Sequence, residues 1–99
     1  MLVHIVCWKY RPDISDERRN DHVARLRALP DLIPGIESFE VGSDILDLDR
    51  SFDTGLVAKY ADRAALDFYN EHPEHQKVVA VGKLIAEKVV SVDFLTQTK

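Results

Sequence analysis

The densest group of side chains that could do acid–base chemistry is the segment Tyr69-x-x-His72-Pro73-x-His75. Pro73 disfavours helical backbone at His72 and suits the first turn of a new helix, so His75 is predicted to lie in that turn. A helix N-terminus disfavours imidazolium, so His75 is expected to be neutral at pH 7 and able to accept a proton. Tyr69, on the preceding helix, carries a phenol that can donate to a developing enolate oxygen. These two residue types suffice for proton abstraction next to a carbonyl group.

The same segment also suits a purely structural role, and the residue types alone leave both uses open. Phe68 and Tyr69 recur at helical spacing, which is typical of core packing. A histidine before a proline, such as His72, can cap a helix end, and the whole segment can shape a tight corner between two helices. Binding of a small ligand without catalysis is a third use.

Metal binding is a weaker interpretation of the same residues. The zinc-protease pattern places two histidines four residues apart on one helix face, whereas His72 and His75 are three apart with a proline between them. The acidic stretch at Asp47-Leu48-Asp49 lacks the glycine and the terminal glutamate of a calcium loop. We therefore predict that the protein needs no metal or other cofactor.

Composition narrows the class of protein. The 99 residues suit one domain, 1–99, and 45% of them are hydrophobic, which is typical of a globular chain. Asp and Glu total 17 against 13 Lys and Arg, a balance that argues against nucleic acid and a membrane surface as partners. No apolar run approaches the ~20 residues of a membrane helix. The single Cys7 excludes an intrachain disulfide, so a reducing, cytoplasmic location is expected.

Hydrophobic patterning predicts four strands and three helices. The predicted strands are 2–10, 36–41, 54–60 and 87–95. The first predicted helix starts at Ser15 and is ended by Pro30 and Pro34-Gly35, and the other predicted helices are 61–72 and 73–85. Ser15 and Asp62 are residues of N-cap type, and Pro73 lacks the N–H group that would be unpaired at a helix start. The predicted apolar stripes of the helices are Val23, Leu26 and Leu29, then Ala65, Phe68 and Tyr69 with Leu66 beside them, and then Val78, Val81 and Ile85.

The order β-α-β-β-α-β, with its second α split in two, favours a ferredoxin-like α+β sandwich, a four-stranded antiparallel sheet with helices on one face. The first strand, however, is apolar on both faces. One face carries His4, Val6, Trp8 and Tyr10, and the other carries Val3, Ile5 and Cys7. Helices cover only one face of such a sheet, so the other face is expected to pack against a second copy of the chain in a homodimer.

Several segments together resemble the stress-responsive dimeric α/β-barrel (Dabb) family over essentially the whole chain. They are VHIVCWKY, LIPGIESFEVGSD, LVAKY, FYNEHPEHQKV and VVSVDF. The most specific part is the Tyr-x-x-His-Pro-x-His motif that ends at His75, supported by Ile33-Pro34-Gly35 and Gly42-x-Asp44. The resemblance implies a homodimer in which two ferredoxin-like sheets face each other and close a barrel.

A plant branch of this family consists of polyketide cyclases that close an aromatic ring by an intramolecular aldol reaction without a cofactor. The resemblance to that branch implies that Tyr69 and His75 are the catalytic pair. It also places His4 in the pocket, His22 where the branch has a bulky aromatic residue, and Thr54 where the branch has a histidine. The residues expected to contact a small-molecule ligand are His4, Val6, Trp8, His22, Leu26, Leu56 and His72.

Three functional classes follow from these observations. The first is a Dabb domain of unassigned biochemical role that holds a small-molecule pocket. The second is a cofactor-independent lyase or cyclase that acts on an enolisable, polyketide-like compound. The third is an enzyme related to the dimeric-barrel monooxygenases and isomerases, for which the His-Pro-x-His motif is not the usual signature. A shared fold cannot separate these classes, because one fold supports many chemistries.

Overall fold

The computed structural model describes residues 1–97. Its elements are β1 (Leu2–Tyr10), α1 (Asp16–Leu32), β2 (Ile36–Ser43), β3 (Thr54–Tyr60), α2 (Arg63–Glu71), α3 (Pro73–Ile85) and β4 (Ala86–Leu95). The strands form one antiparallel sheet in the order β2-β3-β1-β4. The predicted ferredoxin-like sandwich is therefore confirmed, with the predicted first strand at the centre of the sheet.

The helices cover the face of the sheet on which the even-numbered residues of β1 lie. Trp8 and Tyr10 on that face are buried in the same apolar core as Leu26 of α1, Leu56 of β3 and Tyr69 of α2. Local sequence sets where the helices start, since Ser15 accepts a hydrogen bond from the backbone N–H of Arg18, and Asp62 accepts one from that of Ala65. These caps occur where they were predicted.

Of the two signals predicted to end α1, Pro34-Gly35 agrees with the structure, since the helix ends just before it, and Pro30 does not. The helix runs through Pro30 to Leu32, and the backbone N–H of Ile33 donates to the carbonyl oxygen of Leu29. A proline in a helix interior costs ~3 kcal/mol, and burial of a large aliphatic side chain recovers ~1.5–3 kcal/mol. Leu29 and Ile33 are both essentially inaccessible to solvent. The two helical residues after Pro30 lead to the buried Ile33, whose burial, with that of Leu29 before the proline, offsets the cost of the proline.

The predicted apolar stripe of α2 is wrong at one position. Phe68 is 49% exposed, and the buried residues of this helix are Leu66 and Tyr69. The Phe68 ring instead packs edge-on against the imidazole of His72, with 5.8 Å between the ring centroids. The contact lies outside the core, and the smaller Leu66 occupies the inward position.

The opposite face of the sheet, here called the open face, is apolar and has no helix against it within residues 1–97. The β1–β4 register places Val3, Ile5 and Cys7 directly across from Phe94, Val92 and Val90, respectively. Side chains of directly paired residues lie on the same face of an antiparallel sheet. Val90, Val92 and Phe94 are 40–53% exposed, as is Val57 of β3 at 42%.

None of the helices within residues 1–97 is long and apolar enough to cross a membrane.

Candidate small-molecule pocket

A cavity of about 270 Å³ lies between the sheet and the helices. Tyr69, His75 and every predicted ligand-contacting residue except His72 line it. The spacing of β1 explains part of this grouping, because alternate residues of a strand share a face and His4, Val6 and Trp8 all point toward the helices. Most of the wall between the polar groups is apolar.

His75 is held in one tautomer by the backbone. Its Nδ1–H donates to the carbonyl oxygen of Asn70 over 3.1 Å, which leaves Nε2 with a free lone pair. Burial lowers the pKa of His75; the hydrogen bond to Asn70 opposes this shift and His4 nearby reinforces it. His75 is consequently a neutral imidazole that can accept a hydrogen bond or a proton.

Tyr69 supplies a phenol beside that imidazole. The two ring centroids are 4.3 Å apart, and Tyr69 is almost fully buried. Burial raises the pKa of Tyr69, so its hydroxyl remains protonated and acts as a hydrogen-bond donor at physiological pH. Behind it lies Tyr60, whose buried hydroxyl lies beside that of Tyr69 without reaching full hydrogen-bond geometry. Burial, and then the neighbouring Tyr69, raise the pKa of Tyr60 as well.

His4 completes this end of the cavity, and it is oriented by a residue that the sequence analysis did not select. Its imidazole lies edge-on to the rings of Tyr69 and Tyr60, at 6.3 Å between centroids in each case. Nδ1 of His4 donates to the carboxylate of Asp93, its direct partner across the β1–β4 ladder. The strand register creates this pair, so no local sequence motif could have indicated it.

A second group of polar side chains lies at the other end of the cavity. The hydroxyl of Tyr10 is 2.7 Å from Nδ1 of His22 and 2.9 Å from Oγ1 of Thr54, and all three residues are buried. The indole of Trp8 packs edge-on against His22, with 5.2 Å between centroids. Burial lowers the pKa of His22 to about 4, with Asp21 opposing the shift, so this imidazole is neutral at physiological pH.

Gly82 of α3 gives the cavity space at that second end. A Cβ atom at this position would lie 3.2 Å from Nε2 of His22 and 3.5 Å from Nε1 of Trp8. A glycine inside a helix costs ~1 kcal/mol relative to alanine, and such a residue often marks a close approach. Gly82 is the sequence signal for this close approach, and it lies outside the predicted set of site residues. The other lining residues missing from the predicted set are Asn70, Val78, Val79, Lys83, Val89 and Ser91.

His72 lies outside the residues that line the cavity. It is the N-cap of α3, where its Nδ1 accepts a hydrogen bond from the backbone N–H of Glu74 over 3.1 Å. This contact corresponds to the structural role that was considered for it. Its position therefore gives no support to the expected ligand contact at His72. Within residues 1–97, no three His, Cys, Asp or Glu side chains are grouped so that they could hold a metal ion.

Comparison with known proteins places the chain in a family. The family model described as Stress responsive A/B Barrel Domain matches residues 2–96. The search of curated proteins found no match.

Solved structures share the fold over nearly the whole chain. A dimeric ferredoxin-like protein of unknown function from Thermobifida fusca YX is similar with a TM-score of 0.88 and 21% identity, over 96% of this chain and 90% of that one. A dimeric protein of unknown function from Bacteroides fragilis NCTC 9343 is similar with a TM-score of 0.84 and 26% identity, over 96% and 95% of the two chains. A hydroxynitrile lyase from Passiflora edulis is similar with a TM-score of 0.86 and 17% identity, over 99% and 94%.

Proposed function

The chain belongs to the stress responsive A/B barrel domain family, and from this premise we propose that it is a homodimeric protein that binds a small, mainly apolar molecule between its sheet and its helices. The observation that carries the proposal is the convergence of His4, Tyr69 and His75 at one end of an apolar cavity of about 270 Å³. Ligand sites are typically apolar clefts with a few convergent polar groups.

Two of the polar side chains at that end, Tyr69 and His75, have complementary hydrogen-bonding roles. Tyr69 offers a phenolic O–H, and its raised pKa keeps the proton in place. His75 offers a lone pair on Nε2, because its other nitrogen is occupied by Asn70. A carbonyl or hydroxyl group of a ligand can therefore find both a donor and an acceptor, while the rest of the ligand contacts aliphatic side chains. The volume is close to the lower end of the ~300–1,000 Å³ of most ligand pockets, which favours a small molecule.

The proposed dimer uses the open face of the sheet. Its exposed valines and phenylalanine, Val57, Val90, Val92 and Phe94, form an apolar surface beside Ile5 of β1. Solvated apolar area favours association by ~25 cal/mol per Å² when it is buried. The Thermobifida fusca and Bacteroides fragilis proteins, which are described as dimeric, support a second copy as the occupant. The unpaired Cys7 supports a reducing compartment, and we propose a cytoplasmic location on that basis.

Ligand binding is tested with a matched pair of tyrosine variants and a defined probe, 2,4-nonanedione, an alkyl-tailed compound with two carbonyl groups. Tyr69→Phe removes a hydroxyl from the cavity wall, whereas Tyr60→Phe removes a buried hydroxyl from a residue outside the lining. We expect the probe to raise the melting temperature of the parent protein and of Tyr60→Phe. Tyr69→Phe should bind it about fivefold to tenfold more weakly, as expected for one lost hydrogen bond. Equal binding by all three proteins would contradict the role of Tyr69.

A second candidate function, cofactor-independent acid–base catalysis, is favoured by one observation: the free Nε2 lone pair of His75 beside a phenolic donor. A neutral imidazole can remove a proton next to a carbonyl while Tyr69 donates to the enolate oxygen. The likeness to the Passiflora edulis hydroxynitrile lyase is at the level of the fold and adds no residue role.

Catalysis is separated from binding by measuring deuterium exchange at the carbon between the two carbonyls of 2,4-nonanedione. The catalytic function requires that the protein accelerates this exchange above the buffer rate and that His75→Ala abolishes the acceleration. The control is His72→Ala, which changes a histidine outside the cavity lining. Saturable binding without any acceleration of exchange would leave the protein as a binding domain.

A further inference from the structure

We propose that two copies of the chain pair across their open faces about a two-fold axis parallel to the strands, so that the loop 44–53 of each copy docks on two lysines, Lys9 and Lys88, of the other. This inference deepens the proposed function and rests on the open face being the dimer interface. In a two-fold dimer the same surface of both copies forms the contact. The open face therefore has to complement itself, and this requirement selects the axis.

One row of residues across the open face projects at one end and is empty at the other. From β2 to β4, its members are Gly42, Gly55, Cys7 and Val90. A Cβ atom added at Gly42 or Gly55 would meet no atom within 4 Å, and the two glycines line an open trough of about 460 Å³. Val90, at the other end of the row, is 40% exposed. A glycine within a strand often marks the close approach of another backbone or a ligand.

A two-fold axis parallel to the strands brings the two ends of this row together. Because the sheet order is β2-β3-β1-β4, an axis between β3 and β1 exchanges β4 with β2 and β1 with β3. Val90 of one copy then lies over Gly42 of the second copy, and Cys7 lies over its Gly55. An axis in the plane of the sheet but perpendicular to the strands would place β4 over β4 and leave the trough empty. Close packing favours the first arrangement.

The neighbouring row of the open face carries two positive charges side by side. Lys9 and Lys88, here called the lysine pair, are direct partners in the β1–β4 ladder, two residues along their strands from Cys7 and Val90. Like charges directly opposite each other in a sheet are destabilising. Within residues 1–97, neither lysine has a carboxylate oxygen within 4 Å of its ammonium group. The lysine pair thus lacks a counter-charge in its own chain.

The loop 44–53, here called the acidic loop, leaves β2 at the same end of the sheet as the lysine pair. Four aspartates and one arginine give it a net charge of −3. Two backbone hydrogen bonds hold its base, one from Asp44 to the carbonyl oxygen of Asp53 and one from Asp53 to that of Trp8. Ile45 lines the glycine trough and is 91% exposed. The aspartates of the loop that form no ion pair in the described chain are Asp44, Asp47 and Asp49.

The axis that fills the trough also brings the acidic loop onto the lysine pair. It exchanges β2 and β3 with β4 and β1 and keeps the same end of the sheet, so each dimer contains this contact twice. The perpendicular axis reverses the ends and separates the two charged groups. The other charged strand residues on the open face, Glu40 and Lys59, are diagonal neighbours of opposite sign and add no net charge. Shape and charge therefore select the same arrangement, and opposite charges fix the register of an interface.

The docking of the acidic loop is tested by measuring the dissociation constant of the dimer by sedimentation equilibrium for charge variants of the full chain. We expect Lys88→Glu and Asp49→Lys each to raise it by about tenfold, because each dimer contains the contact twice. The double variant should dimerise more tightly than either single one, since opposite charges face each other again. Lys77→Glu makes the same charge change on α3, away from the open face, and should leave the dissociation constant unchanged. Simple addition of the two losses in the double variant would overturn the inference.

The axis is tested separately by cross-linking in a Cys7→Ser background. Glu40 and Val92 lie at opposite ends of one row, on the two edge strands β2 and β4. A short bis-maleimide reagent should cross-link a mixture of the Glu40→Cys and Val92→Cys proteins, and neither protein alone. Cross-linking of Val92→Cys to itself would place β4 over β4 and overturn the inference, while the dimer would stand. A parent protein that sediments as a monomer would overturn both the inference and the proposed dimer, and the binding of 2,4-nonanedione would still decide the pocket.

Discussion

Asp93 lies directly across the β1–β4 ladder from His4 and accepts a hydrogen bond from Nδ1 of its imidazole. The pair joins an edge strand to the central strand at one end of the cavity. Because the carboxylate occupies Nδ1, the opposite ring nitrogen is the one that remains for a ligand. Asp93 is thus expected to position His4 and not to contact the ligand itself.

The first prediction concerns this pair. We expect Asp93→Ala to lower the free energy of unfolding by about 1 kcal/mol, because the Asp93 side chain is 40% exposed and one hydrogen bond at a partly exposed position contributes little. The ring of His4 should lose its fixed tautomer, which long-range ¹H–¹⁵N correlation spectra report. Asp67→Ala, which breaks an exposed pair with Arg63 on α2, is the control and should leave the His4 signals unchanged.

The second prediction concerns the open face. Val92→Glu places a charge in the centre of the proposed interface, where burying it without a partner is costly, so this variant should be a monomer near 11.3 kDa. Leu84→Glu is the matched control, since Leu84 is an exposed leucine on α3 and its replacement should leave the dimer intact. Light scattering after gel filtration measures both. A monomeric parent protein at all practical concentrations would contradict the dimer.

The third prediction is a loss of stability at acidic pH that originates at His22. Burial lowers the pKa of His22 from its ordinary value of 6.5 to about 4, so between these values the unfolded chain binds the proton and the folded chain does not. Stability should therefore fall as the pH decreases from 6.5 to 4 and level off below, by at most about 3 kcal/mol for this residue. Burial also lowers the pKa of His75, so this residue likewise makes the folded protein less stable as the pH decreases.

Urea unfolding of His22→Gln across this pH range checks the assignment. The variant should be less stable than the parent at pH 7, because Tyr10 loses a buried partner, but its stability should depend less on pH between 6.5 and 4. A parallel pH dependence in parent and variant would assign the effect to other groups.

The fourth prediction concerns the hydroxyl of Tyr60. The buried hydroxyl of Tyr60 has only the hydroxyl of Tyr69 beside it, without full hydrogen-bond geometry, so little offsets the roughly 1–3 kcal/mol cost of its desolvation. Tyr60→Phe removes this oxygen and keeps the ring, which packs at 5.3 Å from the ring of Tyr69. We expect an unchanged or higher melting temperature. A drop of several degrees would indicate that the hydroxyl has a stabilising partner.

Much of the local structure follows from short-range sequence. Ser15, Asp62 and Pro73 mark helix starts because capping and the missing proline N–H act within one turn of the chain. The shared face of His4 and Trp8 follows from the two-residue repeat of a strand. These features needed no knowledge of what packs against them, and so they were predictable.

Other features depend on what lies opposite in space. The helix passes through Pro30 to the buried Ile33, and Leu66, not Phe68, is buried beside Tyr69 on α2. Neither the end of α1 nor the buried residue of α2 can be predicted from the local sequence pattern, because each depends on the surface against which the helix packs.

The candidate site also combines features that follow from local sequence with features that depend on long-range packing. The sequence by itself determined that the chain has a sheet with one helix-covered and one apolar open face, and it indicated Tyr69 and His75 as the candidate acid–base pair. Only the tertiary structure decided that Asp93 pairs with His4 and that Gly82 opens a space beside His22. It also placed His72 outside the lining. The physical reason is that strand register and helix packing are set by cooperative burial of the whole core, and these long-range contacts carry no signal in neighbouring residues.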